Sequence, residues 1–466
     1  MFADLSRKEY CILIILLFAG CTLISYAFAR VSKKKQEAAS LFIFLNAGLL
    51  HVFYIIYTHT WERQHDVIGF RNGKGIGQAA LIEYLMNEGH LPDFDPTTRW
   101  GFFQPLLHHI VSAVWLKFNL MRGMNYDRAC EYIQILTLIY SMVLIFYGFR
   151  IFTLMGLKGR GLIISETLLA FHPLLILLSG SVNNDIMSHM FLVMAIYYIL
   201  KWYRDEKLRD LFLTALTIGL SMMAKLSGVL AAPAVAFLML YKLIGDIREK
   251  KGVFKRIREY ALFAVTVFPL GLFFPIRNMI LFHVPLTYMP EVGEDLSGYS
   301  LIQRIFDIRT ATPYTCMIKN GNAYDEFNVF LALIKTGLTG EDDYSVVNPY
   351  ITCFAWILFF AGAVLFITVV VLFFYVFLRN DMVKEVPIRL FWVILIGTGI
   401  LFMLRLIFSV PNFSSEDIRY IAWIVVPAAM LPGFPVVSGK AVNYMSVLTG
   451  VFAFASAGVY YLLGLP

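Results

Sequence analysis

The feature that most constrains this chain is a succession of apolar runs, each about the twenty residues that a helix needs to cross a hydrocarbon core. They lie near 10–29, 40–60, 128–149, 161–180, 185–200, 210–224, 226–241, 260–280, 351–378, 388–409, 419–436 and 441–463. Twelve such runs make a polytopic membrane protein of helices. The alternating pattern of a membrane β-barrel is absent, and helices satisfy their own backbone groups in lipid. Composition agrees: 59% of residues are hydrophobic and 15% charged, where soluble domains carry about 25% charge. The expected fold class is therefore all-α, a bundle of about 12 transmembrane helices in one membrane domain spanning 1–466.

Basic residues set the orientation, because short cytoplasmic loops carry an excess of Lys and Arg. Arg30 with Lys33-Lys34-Lys35, the 150–160 turn, Lys201 to Arg209, the 242–258 loop, Arg379 to Arg389 and Lys440 hold more than half of the 39 basic residues. These connections read as inner, and the long segments 61–127 and 281–350 as outer or lumenal. The net charge of +7 arises mainly from the inner loops, which fits anionic lipid headgroups and not nucleic acid. Residues 10–29 follow Arg7-Lys8 but read as a retained helix and not a signal peptide, given the basic cluster behind them.

The first outer segment is predicted to hold structure of its own. Residues 103–119 contain His108, His109 and Lys117 and read as a helix at the interface, because counting them as a span would reverse every later basic loop. Residues 76–88 predict a second short helix, ended by Gly89 and Pro92, with Ile76, Ala80, Leu81, Tyr84 and Leu85 as a membrane-facing stripe. Gly73-Lys74-Gly75-Ile76-Gly77 lacks the strand that precedes a phosphate loop and reads as a hinge.

Polar residues gather on the outer side, where acid beside apolar helices is costly and marks a functional site. His65-Asp66 follows the second span, with Glu83, His108 and His109 in the same segment; Asp66 suits a general base and a neighbouring His its orientation. Asp93-Phe94-Asp95 has a spacing that admits a divalent cation, although acidic turns before proline are common. Asn183-Asn184-Asp185 opens a later span, either as a cap on free helix amides or as a substrate-binding group. Lys225, Arg277 and Arg405 fall near the outer ends of spans, where they either snorkel to water or bind a phosphate together. Lys335, Arg419 and Tyr420 are candidates for further donor contacts or for interfacial anchors.

In these residues the chain resembles the GT-C superfamily of integral-membrane glycosyltransferases, near the protein O-mannosyltransferase and aminoarabinose transferase group. The resemblance rests on the order of Asp66, short helices after it, Asn184-Asp185, Lys225-Leu226-Ser227-Gly228, Arg277-Asn278 before Pro285-Leu286-Thr287-Tyr288, and Arg419-Tyr420. It implies a GT-C-like bundle and a polyprenyl-phosphate-linked sugar donor drawn from the membrane lipid. Transfer, of hexosyl or mannosyl type, would occur with inversion at the outer or lumenal face of the plasma membrane or endoplasmic reticulum. Carried onto this chain, Asp66 would be the base, Asp185 a second carboxylate, and Lys225 and Arg277 the phosphate cations. His65-Asp66 stands where protein O-mannosyltransferases carry an Asp-Glu pair, so a glycan, lipid or protein acceptor stays open. A transporter or flippase of a lipid-linked sugar is the alternative from another class.

Overall fold

The computed structural model describes residues 7–61, 68–286, 288–290, 296–307, 318–319, 323–324, 327–340, 348–379, 383–434 and 439–465. In chain order their helices are α1 (Arg7–Ser32), α2 (Lys35–Tyr57), α3 (Gln78–Glu88), α4 (Leu107–Met121), α5 (Tyr126–Glu131), α6 (Gln134–Leu154), α7 (Gly159–Ala170), α8 (Pro173–Gly180) and α9 (Asp185–Asp205). There follow α10 (Leu208–Ala224), α11 (Ala232–Glu249), α12 (Val253–Phe282), α13 (Leu301–Phe306), α14 (Val329–Leu338), α15 (Pro349–Leu378), α16 (Val386–Ser409), α17 (Val425–Met430) and α18 (Gly439–Leu462). The described strands are β1 (Ile318–Lys319) and β2 (Ala323–Tyr324), an antiparallel pair with Ile318 opposite Tyr324.

Among the described residues ten helices are long and apolar enough to cross a membrane. The chain is a multi-pass membrane protein. The two remaining apolar runs differ from a full-length helix for separate reasons. Run 210–224 is α10, which at 17 residues is short but lies packed along both α9 and α12. Run 419–436 is broken: 3-10 turns at Phe413–Glu416 and Ile418–Ile424 precede α17, and another at Leu431–Gly433 follows it. Ile421 leaves helical geometry (φ −128°, ψ 34°), and Pro427 and Pro432 each lack the N–H that a continuous helix would bond. Irregular backbone at this depth is tolerable only where protein surrounds it. Ile421, Ala422, Trp423 and Val426 are accordingly buried.

Pro173 splits another crossing into α7 and α8, with His172 accepting the Leu174 N–H at 3.3 Å. The carbonyl of Phe171 freed by this break takes the Ser456 hydroxyl of α18 at 2.8 Å. Near the other end of α7 the crossing with Leu431–Gly433 is glycine on both sides, since a Cβ on Gly161 would fall 2.1 Å from the Gly433 carbonyl oxygen. Small residues permit such close backbone approach in membranes.

The contacts define two ends of the bundle. At one, Gln36 exchanges hydrogen bonds with Gly159 at 2.9 and 3.3 Å, and Arg256 pairs with Glu206 at 2.6 Å and Asp246 at 2.7 Å. Burial raises the Glu206 carboxyl, but Lys242 and Arg256 outweigh it and hold it below the usual range. This is the basic end that the sequence groups together. The opposite end carries both long insertions.

There the first insertion folds back on the protein. α3 begins after Gly77 (φ 96°) and ends at Gly89 (φ 72°), close to the predicted limits. Its stripe does not face lipid: Ala80 and Leu81 pack against Phe102, Leu106 and Phe274 of α12, because an apolar face beside a bundle is covered by the nearest helix. The glycine-rich turn is pinned by Asn72, whose side chain bonds the backbone of Gly69 and Ile76, and by Gly77 N–H donating to Trp100 at 2.7 Å. α4 lies against α3, α5 and α10 with His108 and His109 buried beneath it, so it is an internal brace as much as an interfacial helix.

The second insertion is fixed by a charge pair invisible in sequence. Arg304 of α13 meets Glu416 at 2.8 Å, both buried, and also bonds the Ile407 carbonyl at 3.0 Å. Removing one partner strands a buried charge at a cost of about 3 kcal/mol or more. Arg304→Met is expected to lower the thermal midpoint of the detergent-purified protein, and Arg304→Met with Glu416→Leu to recover much of it. An unchanged midpoint in the single variant would show the pair to be dispensable.

Candidate active site

α8 ends at Gly180, and the chain turns through Asn183, whose side-chain oxygen accepts the Asp185 N–H at 3.1 Å. That satisfies one free amide of α9. Asn184 does something else: its amide donates to the Ala224 carbonyl at 2.8 Å and to Gln104 at 3.3 Å, tying α9 to α10 and to the first insertion. Below them the Ser188 and Ser221 hydroxyls meet at 3.0 Å and fix the same helix pair. Capping therefore occupies Asn183 and leaves the Asp185 carboxylate for other work.

That carboxylate sits among cations. α10 stops at Ala224, and Lys225 adopts extended backbone (φ −152°), which turns its ammonium onto Asp185. Arg419 approaches the other carboxylate oxygen at 4.0 Å and is held by Asp417 at 3.2 Å. Tyr420 stands over both, with Lys225 Nζ 4.7 Å and Arg419 Cζ 5.3 Å from its ring centre, within cation–π range. His189, one turn along α9, donates from Nε2 to the Arg419 carbonyl at 2.7 Å and locks the broken segment against the helix.

Two carboxylates thus neutralise two cations at the mouth of the bundle. Their exposure differs usefully: the Lys225 side chain is 17% exposed, against 3% for Asp185 and 9% for Arg419 and Asp417. Lys225 is the most exposed of the four charged groups. Asp185, by contrast, is the least exposed of them and lies against both cations.

The other predicted positions distribute around this cluster. His65 and Asp66 lie outside the described residues. Burial lowers the His108 imidazole to about 4, against opposing effects from the Val182 backbone and Asp185, so it is neutral at pH 7. His109 is likewise lowered by burial and bonds Gln78. Glu83 accepts the Arg71 N–H at 2.9 Å and the Tyr126 hydroxyl, joining α3 to α5. Arg277 donates to the Pro92 carbonyl at 2.6 Å and to Asn278 at 3.1 Å, binding α12 to the first insertion. Arg405 is exposed on the flank of α16, apart from the Asp185 contacts. Lys335 is buried on α14, beside Thr336, whose hydroxyl accepts the Ile418 N–H at 3.2 Å and supports the broken segment.

Asp95 spends its carboxylate on the N–H and hydroxyl of Thr97 at 2.9 and 2.8 Å, while Asp93 is exposed. Among the described residues no three His, Cys, Asp or Glu side chains gather to hold a metal. Sequence reasoning counted Gln104 among the polar groups of the first outer segment but gave Asp417 and His189 no role. The last had a signal: it stands four residues after Asp185, on the same helix face.

Residues 112–272, from α4 through much of α12 and including Asp185 and Lys225, match the family model for dolichyl-phosphate-mannose-protein mannosyltransferase. The oligosaccharyltransferase of Archaeoglobus fulgidus in its apo form superposes with a TM-score of 0.51 at 13% identity, over 91% of this chain and 56% of that one. The chain has a GT-C fold. The chain spans little more than half the length of the archaeal protein. The oligosaccharyltransferase AglB from Archaeoglobus fulgidus in complex with an inhibitory peptide and a dolichol-phosphate gives 0.49 at 12% identity, over 91% of this chain and 56% of that one. ArnT from Cupriavidus metallidurans in the apo state gives 0.40 at 12% identity, over 90% and 76%. No curated protein sequence matches significantly.

Proposed function

We propose that this protein is a membrane glycosyltransferase that moves a sugar, hexosyl or mannosyl in type, from a polyprenyl-phosphate donor to an acceptor hydroxyl. The observation that carries the reading is the Asp185, Lys225, Arg419 and Tyr420 cluster at the bundle mouth, where the Lys225 side chain stays 17% exposed. The name of the family matched over 112–272 supports the donor class. On this reading the mouth faces the outer or lumenal side of the plasma membrane or endoplasmic reticulum, since the basic loops gather at the other end.

The chemistry follows from charge. The donor phosphodiester carries one negative charge; when the bond from C1 of the sugar to the phosphate oxygen breaks, the departing polyprenyl phosphate gains a second. Lys225 and Arg419 therefore bind the leaving group more tightly than the donor, which is the differential binding that lowers a barrier. Before substrate arrives, Asp185 and Asp417 keep the two cations paired and positioned. Asp66 takes the proton of the acceptor hydroxyl as its oxygen attacks C1 from the face opposite the phosphate, giving inversion. His65 orients that base, Asn183, Asn184, His108 and His109 shape the sugar pocket, and Arg277, Arg405 and Lys335 add positive potential at the same end. Glu83 acts through the fold of the first insertion.

Proteoliposomes offered a labelled polyprenyl-phosphate sugar on one face, with glycan, lipid and peptide acceptors, test the class. A labelled glycosidic product and free polyprenyl phosphate are expected. Movement of intact donor to the opposite leaflet without product would instead establish a flippase.

A further inference from the structure

At the basic end of the bundle, opposite the Asp185 cluster, α2, α7 and α18 leave an open cleft of about 920 Å³. Its rim holds Lys35 from the start of α2 and Arg160 from the first turn of α7, and its walls include Ile163, Asn443, Val447 and Thr449. We propose that this cleft binds an anionic glycerophospholipid, its phosphate between Lys35 and Arg160 and an acyl chain along Ile163 and Val447. The site is separate from the proposed donor site and does not rest on the transferase reading.

Three observations point to a ligand. First, neither Lys35 nor Arg160 forms an ion pair among the described residues; the polar contact of Arg160 is Asn443 at 3.4 Å. The nearby carboxylates are engaged elsewhere: Glu37 pairs with Lys34 at 2.9 Å, and buried Glu166 takes the Ser40 hydroxyl at 2.7 and 2.9 Å. Two cations without counterions beside apolar helices attract an anion at headgroup depth.

Second, Thr449 is 4% exposed, and its hydroxyl has no hydrogen-bond partner. Other span hydroxyls of this protein, one of them a turn before Thr449 on α18, close onto the carbonyl four residues back, as Thr368 does at 2.7 Å, Thr398 at 2.7 Å and Ser446 at 2.8 Å. A buried donor left open is costly unless something supplies the acceptor. A glycerol ester or phosphate oxygen in the cleft is such an acceptor.

Third, the chemistry of the walls divides as an anionic phospholipid divides. The cations and Asn443 lie at the end of the helices, where the headgroup layer meets the basic loops, and Ile163 and Val447 lie further along α7 and α18 toward the hydrocarbon. A small soluble anion would use only the first part. A zwitterionic lipid would bring its own cation to the rim.

The test uses the full-length protein in detergent, titrated with phosphatidylglycerol, phosphatidylcholine, inorganic phosphate or undecaprenyl phosphate and read by native mass spectrometry. Phosphatidylglycerol is expected to bind about tenfold more tightly than phosphatidylcholine. The Lys35→Gln, Arg160→Gln double variant should lose that preference while keeping its lipid-free thermal midpoint, and Thr449→Val should weaken phosphatidylglycerol a few-fold. Equal binding of the two phospholipids, or unchanged affinity in the double variant, would overturn the assignment. So would inorganic phosphate displacing phosphatidylglycerol at millimolar concentration, or undecaprenyl phosphate binding more tightly in a manner that depends on Lys35 and Arg160.

Discussion

Asp66→Asn is expected to lower sugar transfer by about 10²-fold or more, the usual cost of removing a general base. The amide keeps the shape of the side chain but cannot take the acceptor proton. Because Lys225 and Arg419 remain, polyprenyl-phosphate affinity should stay within about twofold of the unaltered protein, well below the tenfold that 1.4 kcal/mol represents. Turnover and lipid binding measured on the same purified sample separate the two effects. Transfer at the normal rate by the Asn variant removes Asp66 from the chemistry, and joint loss of binding and turnover makes it a structural residue.

Lys225→Met is expected to abolish measurable transfer and to destabilise the protein, since it strips Asp185 of its closest partner. The carboxylate side chain is 3% exposed, and Arg419 at 4.0 Å is too distant to replace a direct ammonium contact. Breaking a buried pair costs about 3 to 5 kcal/mol because one charge is left behind. The partly exposed lysine and the remaining arginine place this case at the lower end, about 3 kcal/mol. Lys225→Met with Asp185→Leu is therefore expected to recover most of the thermal midpoint yet stay inactive and bind polyprenyl phosphate poorly. If that double variant transfers sugar normally, the cluster is a structural clamp and the phosphate lies elsewhere. Lys225→Arg, which keeps the charge but changes its shape, should restore stability more than activity.

The family matched over 112–272 and the cluster at the bundle mouth bear on each other through Lys225. In sequence it is a basic residue between two apolar runs, a setting equally suited to snorkelling. What makes it a candidate for phosphate binding is the extended backbone after Ala224, the partner at Asp185 and the aromatic face of Tyr420. Arg405 shows the converse. Its sequence setting is similar, but α16 turns it outward. Arg277 had equal claim and is committed to the Pro92 carbonyl, where it anchors the first insertion.

Much of the fold was legible because lipid leaves the backbone so few choices. Apolar runs of spanning length, separated by basic turns, fix the number of crossings closely and group their ends. α3 could be bounded from Gly77 and Gly89, whose positive φ values start and stop it. Two features resisted reading for the same reason. The face of α3 and the break at 413–433 depend on which neighbour covers a surface, and hydropathy cannot distinguish lipid from a packed helix, as both are apolar.

The order of apolar runs and charges along the chain is enough to show that it spans a membrane repeatedly, which loops gather at one end, and that acids and bases collect at the other. Which of those charges meet follows from the packing of the helices. Asp185, Lys225 and Arg419 are separated by 40 and 194 intervening steps of chain from one to the next, and Arg304 and Glu416 are 112 apart. Hydropathy is a property of each residue and its near neighbours, so it survives in the sequence. Charge pairing is a property of distance in space, and it exists only once α9, α10 and the broken segment have packed together.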